Sequence, residues 1–312
     1  MVFKKKEDFV SMYIELLDPV DCLCDFTYDF YWQHRGSRLD PDGIIPHQKG
    51  TSFTFKDLVN CLKKEEDVFI KGNAGRRLGS SLGVDLKFFG GSGKYIRTGS
   101  IIADGDVDTR MGISMIAGAI YVKGNVKHPM GNVVEVVSDR HDYRKYVSIT
   151  DILQNGSHEK LIPPNLLNEN ELIIKDNILR DTIAARLESG KKVIVEGDAG
   201  MSTGILMKCG SVIVEGDAGL NTDVLMRGGI IITGNADEFA GAYMKGGTLI
   251  MRGKARGYVG ANMKGGTIFY KGDAMMSAVP VEGSDVWMLV KLLEIGQVEA
   301  MMFKKYIVKD MK

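Results

Sequence analysis

The serine that most suggests catalysis lies in Gly79-Ser80-Ser81-Leu82-Gly83, which spells the GxSxG pattern of a serine-hydrolase nucleophile elbow. An elbow of this kind needs a strand before the serine, a helix after it, and an acid and a histidine later in the chain. Asp151 and His158 follow in that order, but no helix can be read after Gly83. Because the chain contains 38 glycines, a chance match explains the motif better than an esterase with Ser81 as nucleophile.

Three aspartates alternate along the chain at Asp104, Asp106 and Asp108, as they do in a calcium-binding loop. An EF-hand loop would continue with glycine at position 109 and glutamate at position 115, where this chain has Thr109 and Met115. The pattern therefore predicts solvated carboxylates at a turn and no metal site.

Cys22 and Cys24 are separated by one residue, and a metal site built on them would need two further thiolates or imidazoles. His34 and His47 could provide these, but the five histidines of the chain are scattered singly, without a His-x-His or HExxH pair. Free or buried thiols are the simpler interpretation. The stretch GDAGMSTG also lacks the spacing and the following helix of a dinucleotide-binding loop. The sequence thus predicts no catalytic, cofactor-binding or metal-binding residue in this chain.

The overall composition excludes several partners. The chain has 312 residues, with 40 lysines plus arginines and 40 aspartates plus glutamates, so its net charge would not attract nucleic acid or anionic lipid. It contains neither an apolar run long enough to span a membrane nor the apolar core of a secretory signal. Its four cysteines lack C-x-x-C spacing and suggest free thiols. We expect a cytoplasmic protein that binds neither nucleic acid nor membrane.

A repeat of 18 to 19 residues must position all of these groups. One glycine returns in each copy, at Gly197, Gly216, Gly234, Gly253 and Gly272. An alanine follows two residues later, at Ala199, Ala218, Ala236, Ala255 and Ala274. A methionine follows ten residues after the first four glycines, at Met207, Met226, Met244 and Met263. Self-similarity at a short fixed period is typical of a solenoid.

Each copy opens with an apolar, β-branched run such as Val193-Ile194-Val195, which favours a strand over a helix. A copy is too short for a strand plus a helix of typical length, so a leucine-rich repeat is disfavoured. We therefore predict an all-β solenoid, a right-handed β-helix with 18–19-residue turns, in which identical residues stack in ladders. Alanine fits the tight part of the coil, methionine fills irregular space, and glycine forms corners that need a positive φ.

The repeat predicts five segments along the chain. They are a small mixed N-terminal cap or docking segment over 1–66, a first β-helix block over 67–137, a connector over 138–190, a second β-helix block over 191–283, and a C-terminal cap of a helix and a strand over 284–312. The connector is expected to contain a short helix in DNILRDTIAARLESGKK, because its apolar residues from 178 to 187 include Ile178, Ile183, Ala184 and Leu187, and Gly190 provides a stop. Residues 84–100 are expected to form a distorted turn with Phe88 on the alanine ladder.

The repeated G-(D/N)-A and M-K-G-G ladders resemble the GXGXG β-helix family, which includes the C-terminal domain of glutamate synthase large subunits and the β-helix subunit of formylmethanofuran dehydrogenase. Two stretches are more similar to the latter, GISMIAGAIYVKGNVKHPMGNVVEV and GNADEFAGAYMKGGTLIMRGKARGYVGANMKGGT. The resemblance covers Val68 to Val137 and Val193 to Pro280, which is about half of the chain. The chain departs from the usual pattern in its first 66 residues and in the connector between the blocks.

The resemblance to the formylmethanofuran dehydrogenase β-helix implies a noncatalytic structural subunit of an oxidoreductase complex in one-carbon metabolism. Such a complex reduces CO2 to formate and forms formylmethanofuran, the first step of methanogenesis, or catalyses the reverse. The implied partners are tungsten or molybdenum pterin subunits, an amidohydrolase-like zinc subunit and iron–sulfur subunits. The resemblance implies none of these cofactors in this chain.

Two other functions remain open from the sequence. A β-helix protein related to glutamate synthase would work with separate chains that carry flavin and glutaminase activity. A serine hydrolase would instead depend on Ser81.

Overall fold

The computed structural model describes residues 10–29, 38–156, 159–272 and 278–308. It divides into two compact units, Met1–Asp151 and Ile152–Lys312. Among the described residues, one sheet of six strands organises the first unit, and one sheet of nine strands organises the second.

The first unit is built mainly from short strands. They are β1 (Val10–Glu15), β2 (Asp67–Lys71), β3 (Ile101–Ala103), β4 (Ala119–Val122), β5 (Val133–Val136) and β6 (Arg144–Ser148). The helices are α1 (Phe55–Lys63) and, beginning at the end of this unit, α2 (Ile149–Asn155). Strands β1 to β4 are parallel neighbours, and β6 pairs antiparallel with both β4 and β5.

The second unit contains the clearest copies of the repeat. Its strands are β7 (Leu166–Leu167), β8 (Glu171–Ile174), β9 (Lys192–Val195), β10 (Ser211–Val214), β11 (Ile230–Thr233), β12 (Lys245–Met251), β13 (Gly265–Tyr270), β14 (Val279–Pro280) and β15 (Lys304–Ile307). Its helices are α3 (Gly283–Leu293) and α4 (Gln297–Ala300). Strands β8 to β13 are parallel and stacked in chain order, so each coil adds one strand to the sheet.

Parallel register carries the apolar pattern from coil to coil. Val193 pairs with Val212, and Ile231 pairs with Leu249, and all four side chains are fully buried. Buried parallel strands need apolar side chains at each inward position, which the β-branched runs provide. The predicted all-β solenoid is thereby confirmed. No helix among the described residues has the length and apolarity that crossing a membrane requires.

The return segment of each coil is not a strand, because every second residue in it has a positive φ. In three consecutive coils these residues are Ser202, Gly204 and Leu206; Asn221, Asp223 and Leu225; and Phe239, Gly241 and Tyr243. Their amides bond to neighbouring coils, as Leu206 N–H does to the Val224 carbonyl at 3.2 Å. A left-handed conformation costs an L-residue about 1–2 kcal/mol. Glycine is therefore favoured in this segment, and hydrogen bonds between coils hold the other residues in place.

The repeat methionines lie inside the coils, against the Gly-Gly pairs of the following coil. A Cβ atom added to Gly229 would lie 2.7 Å from the Cε of Met207, and one added to Gly247 would lie 2.6 Å from the Cε of Met226. The second glycine of each pair is thus required because the methionine of the preceding coil fills its side-chain space. All four ladder methionines are buried: Met207, Met226, Met244 and Met263.

The helix expected over 178–187 is wrong. Thr182, Ala184 and Arg186 have positive φ, and the Thr182 N–H donates to the Met201 carbonyl at 2.7 Å. These residues form the return segment of a coil that begins with β8. The four-residue spacing of apolar side chains that suggested a helix also fits a segment in which alternate residues face inward.

Residues 84–100 also differ from expectation, since they do not form a coil. Val84 bridges Tyr95 in antiparallel fashion, and Phe88 is 61% exposed instead of lying on a ladder. At the level of the alanine ladder, Ala74 bridges Val107 directly, because β2 and β3 are immediate neighbours. The segment is therefore a loop inserted between two stacked coils.

Residues 10–29 continue the first stack, although they lack the glycines of the repeat. Strand β1 pairs in parallel with β2, and the Cys22 N–H donates to the Arg76 carbonyl at 2.8 Å. Cys22 and Cys24 have positive φ, and Cys24 occupies the position that Gly79 takes in the next coil. Residues 10–29 of the cap expected over 1–66 are therefore part of the stack, and the repeat was not visible there because Cys24 stands where the next coil has glycine.

The predicted C-terminal helix and strand are confirmed. Strand β15 pairs antiparallel with β13, the last parallel strand of the stack. Helix α3 packs its buried Leu289 against the outward face of the strand wall, where Ile232, Ile250 and Phe269 are also buried. The tail therefore covers an edge strand that would otherwise present unpaired backbone groups.

Candidate functional site

Ser81 lies in the return segment of a coil and not on a nucleophile elbow. Its side chain is fully buried, its φ is positive, and its N–H donates to the Ile113 carbonyl at 2.7 Å. The segment that follows is a turn and loop instead of the helix that an elbow needs. Asp151 lies in α2, where the hydroxyl of Tyr95 approaches it at 3.4 Å, and His158 is outside the described residues. The geometry therefore does not support the esterase alternative.

Asp104, Asp106 and Asp108 are used in contacts between coils. Asp104 pairs with Lys123 at 3.1 Å and Asp108 with Lys127 at 2.9 Å. The hydrogen bond from Lys127 lowers the pKa of Asp108. Each carboxylate has a separate partner in the next coil, and among the described residues the three do not come together as a group of potential metal ligands.

One group among the described residues brings potential metal ligands together, namely Cys22, Asp25 and Asp29, whose ligand atoms lie within 4.8 Å of one another. The group includes neither Cys24 nor His47, and His34 is outside the described residues. Burial raises the pKa of Cys22 to about 12, so its sulfur is a neutral thiol at physiological pH.

Hydrogen bonds within the chain already use both carboxylates of this group. Asp25 accepts from the Thr27 N–H at 2.8 Å, from the Thr27 hydroxyl at 2.6 Å and from the Asp29 N–H at 3.0 Å. Asp29 accepts from Arg77 at 2.6 and 3.3 Å. Burial raises the pKa of Asp25 to about 6. The arrangement therefore fits a structural contact between the first two coils, made by the ion pair of Asp29 with Arg77.

Each ladder glycine leaves space for the aspartate or asparagine side chain that follows the ladder glycine of the preceding coil. A Cβ atom at Gly216 would lie 2.1 Å from the Oδ1 of Asp198, and one at Gly234 would lie 2.6 Å from the Oδ1 of Asp217. These oxygens accept hydrogen bonds from the next coil, as Asp198 does from the Asp217 N–H at 2.8 Å and Asp217 from the Asn235 N–H at 2.7 Å. The G-(D/N) pair is therefore one structural unit repeated from coil to coil.

The predicted glycine and alanine ladders consist of backbone contacts between coils. The amides of Gly216, Gly234, Gly253 and Gly272 each donate to the carbonyl of the preceding ladder glycine, beginning with Gly197, at 2.8–3.0 Å. Bridges join Ala199, Ala218, Ala236 and Ala255 in series. Ala274 lies outside the described residues. These positions stack the coils, and their groups are not presented to a ligand.

Asp223 is a buried acid that the sequence pattern did not single out. It occupies the place that Gly204 and Gly241 take in adjacent coils, with a φ of 68°. Its side chain is fully buried, neither carboxylate oxygen has a hydrogen-bond partner, and burial raises its pKa well above the usual value. The signal that could have identified it is a carboxylate at a ladder position where three of four copies have glycine.

Several large apolar side chains around α3 and α4 are exposed. A groove of about 620 Å³ is here called the tail groove. Its apolar lining residues are Pro280, Val281, Val286, Trp287, Val290, Met301 and Phe303, and Glu282, Gly283 and Gln297 complete the lining. Trp287 is 67% exposed and Met301 is 66% exposed. Next to them, Val298 is 80% exposed and Met302 is 59% exposed.

Contiguous exposed apolar side chains of this size mark interaction surfaces, and tryptophan is among the residue types most enriched at interface centres. Lys291 lies 5.3 Å from the centre of the Trp287 ring and provides a polar rim. Phe303 and Leu289 beneath the groove are buried, so the groove has a rigid floor. The arrangement suits protein docking, and the one carboxylate in its lining, Glu282, forms the capping box at the start of α3.

Comparison with known proteins identifies a close relative. A protein from Methanothermobacter thermautotrophicus, described only as uncharacterized, is 49% identical over 210 residues, which are 67% of this chain and 67% of that protein. No family model matches the chain.

A solved structure is also similar, the X-ray structure of the formyltransferase/hydrolase complex (FhcABCD) from Methylorubrum extorquens with methylofuran. The alignment has 19% identity and a TM-score of 0.33, and it covers 93% of this chain and 91% of the other. A TM-score this low carries no argument about function.

Proposed function

This chain belongs to the same protein family as the Methanothermobacter thermautotrophicus relative, and we propose that it is a noncatalytic structural subunit of a formylmethanofuran dehydrogenase-like complex. In this role it corresponds to the β-helix subunit of that enzyme and holds catalytic subunits in fixed positions in the cytoplasm. The complex reduces CO2 to formate and forms formylmethanofuran, the first step of methanogenesis, or catalyses the reverse.

The observation that carries the structural role is the tail groove. Trp287 of α3 is 67% exposed and Met301, directly after α4, is 66% exposed, whereas Leu289 of α3 and Ala300 of α4 are buried against the strand wall. Leaving such side chains in water forfeits about 1.5–3 kcal/mol each relative to burying them. A partner subunit that covers the groove would recover this free energy on assembly.

The assignment to this particular complex rests on the repeat itself. The G-(D/N)-A and M-K-G-G ladders resemble the β-helix of formylmethanofuran dehydrogenase, and the groups that could have indicated a separate chemistry, Ser81 and Cys22, are buried in contacts between coils. The tungsten or molybdenum pterin, the zinc and the iron–sulfur clusters would then belong to partner subunits.

The proposal is tested by native purification of the full chain through an affinity tag, followed by size-exclusion chromatography and elemental analysis. We expect elution far above 34.3 kDa together with tungsten or molybdenum, zinc and iron. A Trp287→Ala variant should lose these partners. Tyr258→Ala, which changes an equally exposed aromatic residue in a return segment, should retain them.

Other outcomes would overturn the proposal in distinct ways. A flavin-containing complex without tungsten or molybdenum would indicate the glutamate synthase-related role instead. A chain that elutes alone at 34.3 kDa without metal would refute any role in a multi-subunit complex.

A further inference from the structure

An apolar ladder runs along the outward face of the strand wall in the second unit. The pairing register joins Leu166, Ile173, Ile194, Ile213, Ile232, Ile250 and Phe269 in one continuous series. The last three of these residues are buried beneath α3. The first four, here called the apolar stripe, are more accessible: Leu166 is 46% exposed, and Ile173, Ile194 and Ile213 are half-buried. Ile213 also packs against the cluster beneath α3, so it marks the place where the stripe meets that cover.

The solenoid itself does not require apolar residues on this face. The neighbouring outward position on the same strands carries Glu171, Lys192 and Ser211, so polar side chains are compatible with these strands. A coil needs apolar residues only at its inward positions, where Leu172, Val193 and Val212 are fully buried. The apolar side chains of the stripe therefore need a reason outside the coil.

The chain shows what covers the other half of the same ladder, because α3 lies on it. Val286, Leu289, Val290 and Leu293 of α3 belong to the apolar cluster that includes Ile232, Ile250 and Phe269. These four helix residues have the i, i+3, i+4, i+7 spacing of an amphipathic helix. The 11 residues of α3 span about 16 Å at 1.5 Å per residue.

The stripe has matching dimensions. Four rungs that are about 4.8 Å apart extend over about 14 Å, which is close to the length of α3. The flanking charges are paired among themselves, Lys192 with Glu171 at 2.7 Å and Lys175 with Glu196 at 3.8 Å. Each of these flanking charges thus has a partner of opposite sign within the chain, and recognition along the stripe depends mainly on apolar shape.

We propose that the apolar stripe is the docking site for an amphipathic helix of a partner subunit, which extends the cover that α3 begins. The inference rests on the proposed function, since it presumes that the chain assembles with other subunits. The occupant has apolar residues at i, i+3, i+4 and i+7 over about three helical turns, and it lies end to end with α3 along the outward ladder.

Photo-crosslinking tests the proposal in the full-length chain. A photoreactive phenylalanine analogue is placed at Leu166, the most exposed residue of the stripe. In a control chain the analogue replaces Tyr258, which is 68% exposed and lies in a return segment. After native tag purification and irradiation, the crosslinked peptide is sequenced by mass spectrometry. We expect the Leu166 probe to join a segment of a different chain with the helical apolar spacing, and the Tyr258 probe not to join that segment.

Substitution provides a second measurement. Ile194→Asp should reduce the amount of the crosslinked partner at least tenfold, whereas Ile194→Val, which keeps a β-branched apolar side chain, should leave it unchanged. If Ile194→Asp fails to fold, as judged by its thermal unfolding, the Leu166 crosslink alone decides.

The outcomes separate the two proposals. A chain that elutes alone contradicts the proposed function and the stripe proposal together. A chain that remains in a large complex but crosslinks at Leu166 to a second copy of itself, to a segment without helical spacing, or to nothing, refutes only the stripe proposal.

Discussion

Replacing Asp223 by glycine should stabilise the second unit. In the wild-type chain this residue combines a φ of 68° with a fully buried carboxyl group that has no hydrogen-bond partner. Relief of the left-handed conformation contributes about 1 kcal/mol or more, and removal of an unsatisfied buried polar group contributes about 1–3 kcal/mol. The additional freedom of glycine in the unfolded chain subtracts about 0.5–1 kcal/mol. We therefore expect a net gain of about 1–3 kcal/mol in the free energy of unfolding at neutral pH.

The effect of Asp223 should also depend on pH, because burial raises its pKa in the folded chain. The unfolded side chain has a pKa of about 3.9. Between these two values the unfolded chain releases a proton that the folded chain retains, so rising pH favours unfolding. The protonated residue gives its full contribution to stability below about pH 4, and that contribution is lost as the pH rises toward the folded-state pKa.

Urea denaturation at pH 4.5 and pH 7.5 measures both effects. Asp223→Asn is the matched control, since it keeps the shape and the positive φ but cannot ionise. The stability difference between Asp223→Gly and the wild type should grow from the lower to the higher pH, whereas the difference between Asp223→Gly and Asp223→Asn should stay constant. A destabilised glycine variant, or the same pH dependence in the wild type and in Asp223→Asn, would refute the reasoning and indicate that Asp223 has a partner in the folded chain.

Four further substitutions probe the coil packing and the excluded chemistry. Gly247→Ala should lower the midpoint of thermal unfolding, because its Cβ would lie 2.6 Å from the Cε of Met226. Met226→Ala leaves a cavity and should lower the free energy of unfolding by about 2–5 kcal/mol. The double variant should lose less stability than the two single variants together. Arg180→Met leaves the half-buried Asp176 without its ion-pair partner at 2.5 Å. Asp176 keeps its hydrogen bonds from Asn165 and Ile178, so the variant should cost about 3 kcal/mol in urea denaturation, the lower end for breaking a buried pair. Ser81→Ala should match the wild type in hydrolysis of p-nitrophenyl esters, and a loss of activity that is specific to this variant would revive the hydrolase alternative.

The sequence was sufficient to predict the solenoid, because the coil-to-coil contacts use the residues that recur. Gly216 recurs with Asp198 above it, and Gly247 recurs with Met226 above it, so each co-occurrence in the repeat reflects one contact. Residues 178–187 were predicted incorrectly because apolar residues spaced four apart fit both a helix and a return segment with alternating φ. Cys24 went unrecognised as part of a coil for a related reason, since it has a positive φ without being glycine.

The proposed docking surfaces were harder to predict, because they lie at outward positions that the coil leaves unconstrained. The exposure of Trp287 depends on which face of α3 packs on the strand wall, and helical spacing alone does not identify the partner surface. The apolar stripe depends on the register that places Leu166 beside Ile173, and this register comes from a short antiparallel strand without a repeat signature.

Cys24, Ala184 and Asp223 replace glycine at a ladder position where φ is positive. Comparing them distinguishes what the coil geometry requires from what function could require. Cys24 and Ala184 are in the first coil of their stacks, and their small side chains are buried with little polar surface to satisfy. Asp223 lies between coils on both sides, so its carboxyl group must be accommodated by packed neighbours on each side. End effects can therefore explain the first two substitutions but not the third. If glycine at position 223 stabilises the folded chain without affecting assembly, the buried acid is a tolerated defect; if assembly weakens, the carboxyl group contributes to the state in which the chain is bound to its partners.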